Sequence, residues 1–155
     1  MSEETEKQYN ELRKKHQIPD FKDMDSDFEI SDLAETNFLL RAVIRRINEK
    51  MEFCTSVLGD ILSPDSSNLH AMHETRHFED YEKAKAYDLF RRFMFLNRRS
   101  VEVLLSKNEK EEAEFISSFY GEWKDLKREF LANVKKMKDA WQTEIDTKEI
   151  LGYLG

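Results

Sequence analysis

The chain has 155 residues, 37% of them charged, with a net charge of −7, four glycines, two prolines and one cysteine. A single cysteine excludes an internal disulfide framework, and no apolar run approaches the roughly 20 residues that span a bilayer. Residues 1–35 hold eleven acidic and five basic residues, a net charge of −6, so the remainder is nearly neutral. Because the N-terminus is acidic and no apolar stretch follows it, we expect a cytoplasmic protein.

Scarce helix breakers and apolar spacings of three and four residues predict an all-α fold. We expect an antiparallel bundle of three to four long helices, with short helices at both ends. A first helix is predicted over about residues 3–16, before Pro19, and the acidic stretch 17–30 is predicted to be a loop. Residues 1–30 would then form an acidic helix-loop arm at the edge of a single helical domain, 1–155.

The second helix, predicted over about residues 32–62, gives the clearest signal. Its apolar residues alternate in steps of four and three, which is typical of a seam between paired helices. Ser31 or Asp32 is the expected N-cap, Pro64 ends the helix, and Cys54 is expected to be inert apolar filler. The seam consists of Leu33, Asn37, Leu40, Ile44, Ile47, Met51, Cys54, Leu58 and Ile61.

The C-terminal two thirds of the chain predict further helices. Asn108 and Glu111 have the spacing of a capping box at the start of the last long helix, and Asn97 is a candidate for fixing helix register. Residues 65–78 are predicted to be a linker that contains a short helix, and helices are predicted over about residues 80–106, 109–145 and 147–154. The seam of the helix at 80–106 is predicted to consist of Tyr87, Phe90, Met94, Asn97, Val101 and Leu104. The seam of the helix at 109–145 is predicted to consist of Ile116, Phe119, Trp123, Leu126, Phe130, Val134, Met137 and Trp141.

The string from His73 to His77 resembles the HExxH signature of zinc metalloproteases. That resemblance implies a helix on which His73 and His77 bind Zn²⁺ while Glu74 activates water, and His70 lies one turn earlier. The longer form of the motif carries glycine and histidine downstream. Here Asp80 and Lys83 occupy those two positions.

A second short resemblance is to the EF-hand calcium loop, with acids at Asp23, Asp25 and Asp27. Phe28 stands where the sharp turn needs glycine, and Ala34 stands where the bidentate glutamate belongs. We therefore interpret these acids as a cluster that precedes a helix N-terminus, where negative charge is favourable.

Arginines gather in two groups, and no acidic residue occurs from Leu89 to Val101. On a helical wheel Phe95 lies opposite the predicted seam, and antiparallel packing of the second and third helices would place Arg45 level with Asn97. An aromatic ring among arginines suits phosphate and base binding or a protein interface. The candidate binding patch is Arg41, Arg45, Arg46, Arg91, Arg92, Phe95, Arg98 and Arg99.

Two interpretations of this patch stay open. In the structural one, which we favour, Phe95 packs beneath another helix, and the arginines pair with Asp88, Glu102 or the acidic residues 1–35. In the other, the patch binds a partner. For the whole chain we expect a non-enzymatic helical interaction or scaffold module with no cofactor, whose partner is another protein or a second copy. An accessory nucleic-acid-associated protein is the alternative, a metal-dependent hydrolase is third, and no membrane partner is expected.

Overall fold

The computed structural model describes residues 2–142, and every regular element among them is helical, so the predicted all-α helical bundle is confirmed. None of these helices has both the length and the apolar character needed to cross a membrane. The predicted helix at 147–154 lies outside the described residues. The helices are α1 (Ser2–Lys15), α2 (Phe21–Phe28), α3 (Leu39–Leu62), α4 (Leu69–Thr75), α5 (Asp80–Ser106) and α6 (Glu109–Ala140), with a 3-10 turn at Ile30–Asp32.

The largest departure from the predicted elements precedes α3. The segment 17–30, predicted to be a loop, contains α2, because Phe21, Met24 and Phe28 recur at helical spacing and are buried. Glu29 then adopts a left-handed conformation, with φ 52° and ψ 51°. This reversal ends α2, so α3 begins at Leu39 rather than near residue 32, and Ser31 and Asp32 are not its N-cap.

The apolar seam predicted on α3 is buried, whereas most of the one predicted on α5 is not. On α3 the seam from Leu40 to Ile61 is confirmed, since each of its members is at most 2% exposed. On α5 the predicted seam is wrong by about one residue, because Tyr87 and Val101 are 55% and 43% exposed. The buried seam of α5 is Ala86, Leu89, Phe93, Leu96, Asn97, Ser100 and Val103.

The α6 predictions hold at its start and fail at its end. Asn108 caps the helix as predicted, because its Oδ1 accepts the Glu111 N–H at 3.0 Å. The seam is buried from Ile116 to Phe130, but Trp141 is 48% exposed and the helix ends at Ala140.

The chain separates into two compact units, so the predicted single domain stays a prediction. Unit 1 comprises Met1–Glu52 and Phe95–Lys124, and its core is aromatic. Phe28 contacts the rings of Phe119 and Trp123 with centroids 5.7 and 5.2 Å apart. The indole Nε1 of Trp123 donates to Asp27 Oδ2 at 2.7 Å, which attaches the acidic N-terminal arm to α6.

Unit 2 comprises Phe53–Met94 and Asp125–Gly155. Its described core contains Phe93 and Phe130, whose ring centroids lie 6.4 Å apart. The short helix α4 is held by its C-terminal turn, where Thr75 Oγ1 donates to the Ile61 carbonyl at 2.7 Å. The one cysteine of the chain, Cys54, is buried on α3, as predicted.

Candidate functional site

Two of the eight residues in the predicted patch, Arg91 and Arg92, belong to unit 2, and both are paired there. Arg92 Nη1 donates to Glu129 Oε2, and Arg91 lies 3.6 Å from Asp88 Oδ1, the partner expected from the sequence. Neither arginine therefore presents an uncompensated charge.

Arg41 and Arg46 are likewise neutralised, within unit 1. Arg41 Nε donates at 2.8 Å to Glu112 Oε2, and the Glu112 side chain is only 4% exposed. Arg46 Nη1 donates to Asp32 Oδ1 at 2.7 Å and to the Glu29 carbonyl at 2.8 Å. The predicted neutralisation by the acidic N-terminal residues is thus confirmed at Arg46.

The remaining arginines are not paired with any carboxylate of the described residues. Arg45, Arg98 and Arg99 are exposed, and none of them has an acidic partner within residues 2–142. Arg98 Nη1 donates to the neutral amide oxygen of Asn97 at 2.6 Å. Glu102 lies on the same side of α5, but no ion pair within the described residues joins it to these arginines.

The expectation that Phe95 packs beneath another helix is wrong, because its side chain is 67% exposed. Phe93 and Leu96 are buried. Phe95 lies on the side of α5 opposite Phe93, since two residues span about 200° of a helix. Leu105 is 75% exposed and Val101 is 43% exposed. Exposed apolar side chains that form a contiguous patch rimmed by polar residues mark an interaction site.

These side chains share one face of α5. Phe95, Arg98, Glu102 and Leu105 are separated by three, four and three residues, which is the spacing of a single helical stripe. Val101 lies at the edge of this stripe, four residues before Leu105. From Phe95 to Leu105 the stripe is about 15 Å long, at 1.5 Å of rise per residue.

Arg45 is brought to this stripe by the pairing of α3 with α5. Asn48 Oδ1 is hydrogen-bonded to Ser100 Oγ at 2.7 Å, and Arg41 Nη2 reaches the Lys107 carbonyl at 3.5 Å. The two contacts are seven residues apart along each segment and run in opposite directions, with Lys107 directly after α5, so the two helices are antiparallel here. Arg45 lies between Arg41 and Asn48 on the side of α3 that contacts α5. It is level with residue 103, whereas the sequence predicted that it would be level with Asn97.

We call the exposed side chains Phe95, Arg98, Arg99, Val101 and Leu105 of α5, with Arg45 of α3, the arginine–apolar surface. The sequence pointed to four of its six members. It missed Val101 and Leu105, because the seam of α5 was placed one residue away and Val101 was assigned to the core. The absence of acids around Phe95 was the signal that identified the rest.

The histidines of the HExxH-like string have structural contacts. Helix α4 ends at Thr75, so His77 lies beyond its C-terminus, where its ring contacts that of His73 with centroids 4.9 Å apart. His73 is 2% exposed, and its Nε2 lies 2.7 Å from the Ala140 carbonyl, an acceptor that requires a protonated nitrogen. The ring of His73 packs 4.4 Å from that of Trp141, whose Nε1 donates to Glu74 Oε2 at 3.0 Å.

His77 and His70 do not complete a metal site with His73. His77 Nδ1 lies 2.9 Å from the His73 carbonyl, to which it donates, and His70 is exposed. In the part of the chain that the structure describes, no three or more histidine, cysteine, aspartate or glutamate side chains form a group that could hold a metal ion. We therefore do not carry the hydrolase hypothesis further.

The acids that resemble a calcium loop lie on helix α2 instead. Asp25 Oδ1 accepts the Ser31 N–H at 2.7 Å and Asp27 accepts from Trp123, so both carboxylates stabilise the fold. Helical backbone from Phe21 to Phe28 prevents these residues from wrapping around an ion.

Comparison of the chain with protein-family models, with curated proteins and with solved structures gives no match. The functional assignment therefore depends on the geometry of the arginine–apolar surface.

Proposed function

We propose that this chain is a non-enzymatic protein-interaction module and that it binds its partner through the arginine–apolar surface. The observation that supports the proposal best is the exposure of Phe95 and Leu105, at 67% and 75%, beside three arginines without acidic partners in the described chain. Aromatic residues and arginine are enriched at protein interfaces. Burying Phe95 and Leu105 against a partner would supply the hydrophobic free energy of association.

A protein partner explains this surface better than a nucleic acid. Base stacking would use Phe95, but Val101 and Leu105 are aliphatic and offer nothing to a phosphate or to the face of a base. Four of the seven clustered arginines are already paired with carboxylates, and the whole chain carries a net charge of −7. The three arginines that are left would neutralise few phosphates, so counterion release would contribute little to nucleic-acid binding here.

The test compares the double variant Phe95→Ser/Leu105→Ser with Leu131→Ser, which changes an exposed leucine of unit 2. Tagged proteins are expressed in the native cell, and complexes are isolated after nuclease treatment. We expect wild type and Leu131→Ser to retain the same discrete partner in about 0.2 M salt, because apolar burial is not screened by salt, and the double variant to lose it.

Two results would contradict this assignment. An identical set of partners for the double variant and the wild type would show that the surface is not the binding site. A partner that disappears on nuclease treatment, with an affinity that falls steeply as salt rises, would favour the nucleic-acid alternative. If sedimentation shows concentration-dependent self-association that only the double variant loses, the partner is a second copy of this chain.

A further inference from the structure

We infer that the partner presents an acidic amphipathic helix, which lies along α5 beside α3 on the arginine–apolar surface. This inference rests on the proposed function and adds the conformation and the charge of the bound segment. It depends on three features of unit 1 within the described residues: the arginines without a carboxylate partner, the apolar stripe and the absence of any strand.

Charge complementarity requires acidic residues in the partner. Arg45 lies on the α3 side of the apolar stripe, and Arg99 lies on its other side, one residue beyond Arg98. Glu102 is the exposed acid of the stripe on α5, and no ion pair within the described residues joins it to Arg98 or Arg99, while Glu49 of α3 pairs with Arg46 at 3.9 Å. Carboxylates that flank an apolar centre would pair with these guanidinium groups, and their approach would be accelerated by the local field.

The all-helical structure of the described residues favours a helical partner segment over an extended peptide. An extended segment obtains its affinity by adding a strand to a sheet edge, and the described part of this chain has no sheet. An extended segment that lay on Val101 and Leu105 would shield some of its backbone N–H and C=O groups from water and leave them without hydrogen-bond partners. Each such group would reduce the free energy of binding. A helix satisfies these groups internally and offers only side chains to the surface.

The apolar stripe sets the length of the bound helix. Phe95 and Leu105 are separated by about 15 Å along α5, which corresponds to roughly three helical turns of the partner. Apolar residues at positions i, i+3 or i+4, i+7, and i+10 or i+11 of that helix would cover the stripe from Leu105 past Val101 to Phe95. Aspartate or glutamate on both flanks of this apolar stripe would meet Arg45 on one side and Arg99 on the other.

The experiment selects peptides of about 16 residues from a randomised display library, using the intact protein as bait and the double variant Phe95→Ser/Leu105→Ser for counter-selection. We expect the recovered sequences to combine apolar residues at helical spacing with an excess of aspartate and glutamate. A synthetic consensus peptide should lose at least about tenfold in affinity when its acids become lysine, or when proline replaces a central residue.

A matched pair of triple variants tests the arginines. Arg45→Gln/Arg98→Gln/Arg99→Gln should weaken binding of the consensus peptide about tenfold or more. Lys7→Gln/Lys14→Gln/Lys22→Gln removes the same charge from exposed positions of α1 and α2 and should leave the affinity unchanged. Equal losses in the two triples would show that only net charge matters and would overturn the inference.

The selection separates the two proposals. If the native complex depends on Phe95 and Leu105 but the selection yields basic, neutral or proline-rich extended peptides, or no peptide at all, the acidic-helix inference fails and the interaction function stands. If a selection run without the counter-selection recovers acidic helical peptides that bind the Phe95→Ser/Leu105→Ser variant as tightly as the wild type, their site lies elsewhere and the acidic-helix inference fails.

Discussion

Asn48 and Ser100 are joined by a 2.7 Å hydrogen bond between α3 and α5, at a point where Ser100 is fully buried. Together with the contact between Arg41 and the Lys107 carbonyl, this bond fixes the antiparallel register of the two helices in unit 1. The register places Arg45 level with residue 103, between Val101 and Leu105. An arginine of one helix thereby joins the apolar stripe of the other.

The exposure of Phe95 predicts that truncating it leaves the fold intact. Phe95→Ser and Leu105→Ser should each change the free energy of unfolding by less than about 0.5 kcal/mol, as is usual for exposed positions. Phe93→Ala, at a fully buried position two residues away, should cost about 3–5 kcal/mol through loss of burial and the cavity that remains. Urea unfolding followed by circular dichroism measures all three. A comparable loss for Phe95→Ser and Phe93→Ala would mean that Phe95 is part of the core.

The ion pair between Arg41 and Glu112 is predicted to be strongly coupled, because Glu112 is only 4% exposed in its side chain. Arg41→Met leaves that carboxylate buried without its cation and should lower the free energy of unfolding by about 3–5 kcal/mol. Adding Glu112→Leu to Arg41→Met should restore most of the loss, because the uncompensated charge is then removed.

The control for this pair is Arg91→Met, which breaks the exposed contact with Asp88. Exposed pairs of this kind are worth less than about 1 kcal/mol, so Arg91→Met should be nearly neutral in the same unfolding assay. If Arg41→Met were equally neutral, water would have access to Glu112 and the buried pair would be refuted.

Glu109 provides a prediction about pH. Hydrogen bonds from Lys15 Nζ and His16 lower the pKa of Glu109 below its ordinary value of 4.5. A lowered folded-state pKa stabilises the protein above the unfolded-state pKa, and this stabilisation is lost as the pH falls through the folded-state value. Glu109→Gln should therefore lower the melting temperature at neutral pH, and its difference from wild type should shrink below pH 4.5.

Thermal unfolding at several pH values measures this effect, with Glu114→Gln as the control. Glu114 is exposed on the same helix and has no ion pair within residues 2–142, so its substitution should shift the melting temperature little at any of these pH values. A difference between Glu109→Gln and wild type that grows on acidification would have the wrong sign.

His73 is predicted to act in packing rather than in metal binding. His73→Ala leaves the Ala140 carbonyl without its donor and opens space beside Trp141, so it should lower the free energy of unfolding by about 2–3 kcal/mol. His70→Ala, at an exposed position, should be neutral within about 0.5 kcal/mol. Chelator should leave the melting temperature of the wild type unchanged. An increase on addition of Zn²⁺ that His73→Ala abolishes would contradict this role.

The local rules of the sequence determined most of the helices. Asp80–Ser106 has the predicted bounds, and Asn108 caps α6, because both depend on nearby residues and on helical periodicity. The α3 seam was also predictable, since its apolar residues follow one uninterrupted pattern. The left-handed Glu29 was not, because its conformation depends on how Phe28 and Ile30 are buried on either side of it.

The sequence by itself determined that the chain is helical and that arginines gather around Phe95. Only the tertiary structure decided that Arg41 and Arg92 are paired with carboxylates, because Glu112 is 71 residues from Arg41 and Glu129 is 37 residues from Arg92. Only packing decided that Phe95 and Leu105 face solvent. On α5 nearly every helical face carries an apolar residue, so periodicity alone could not distinguish the buried stripe from the exposed one. Which stripe is buried depends on how the neighbouring helices pack against α5.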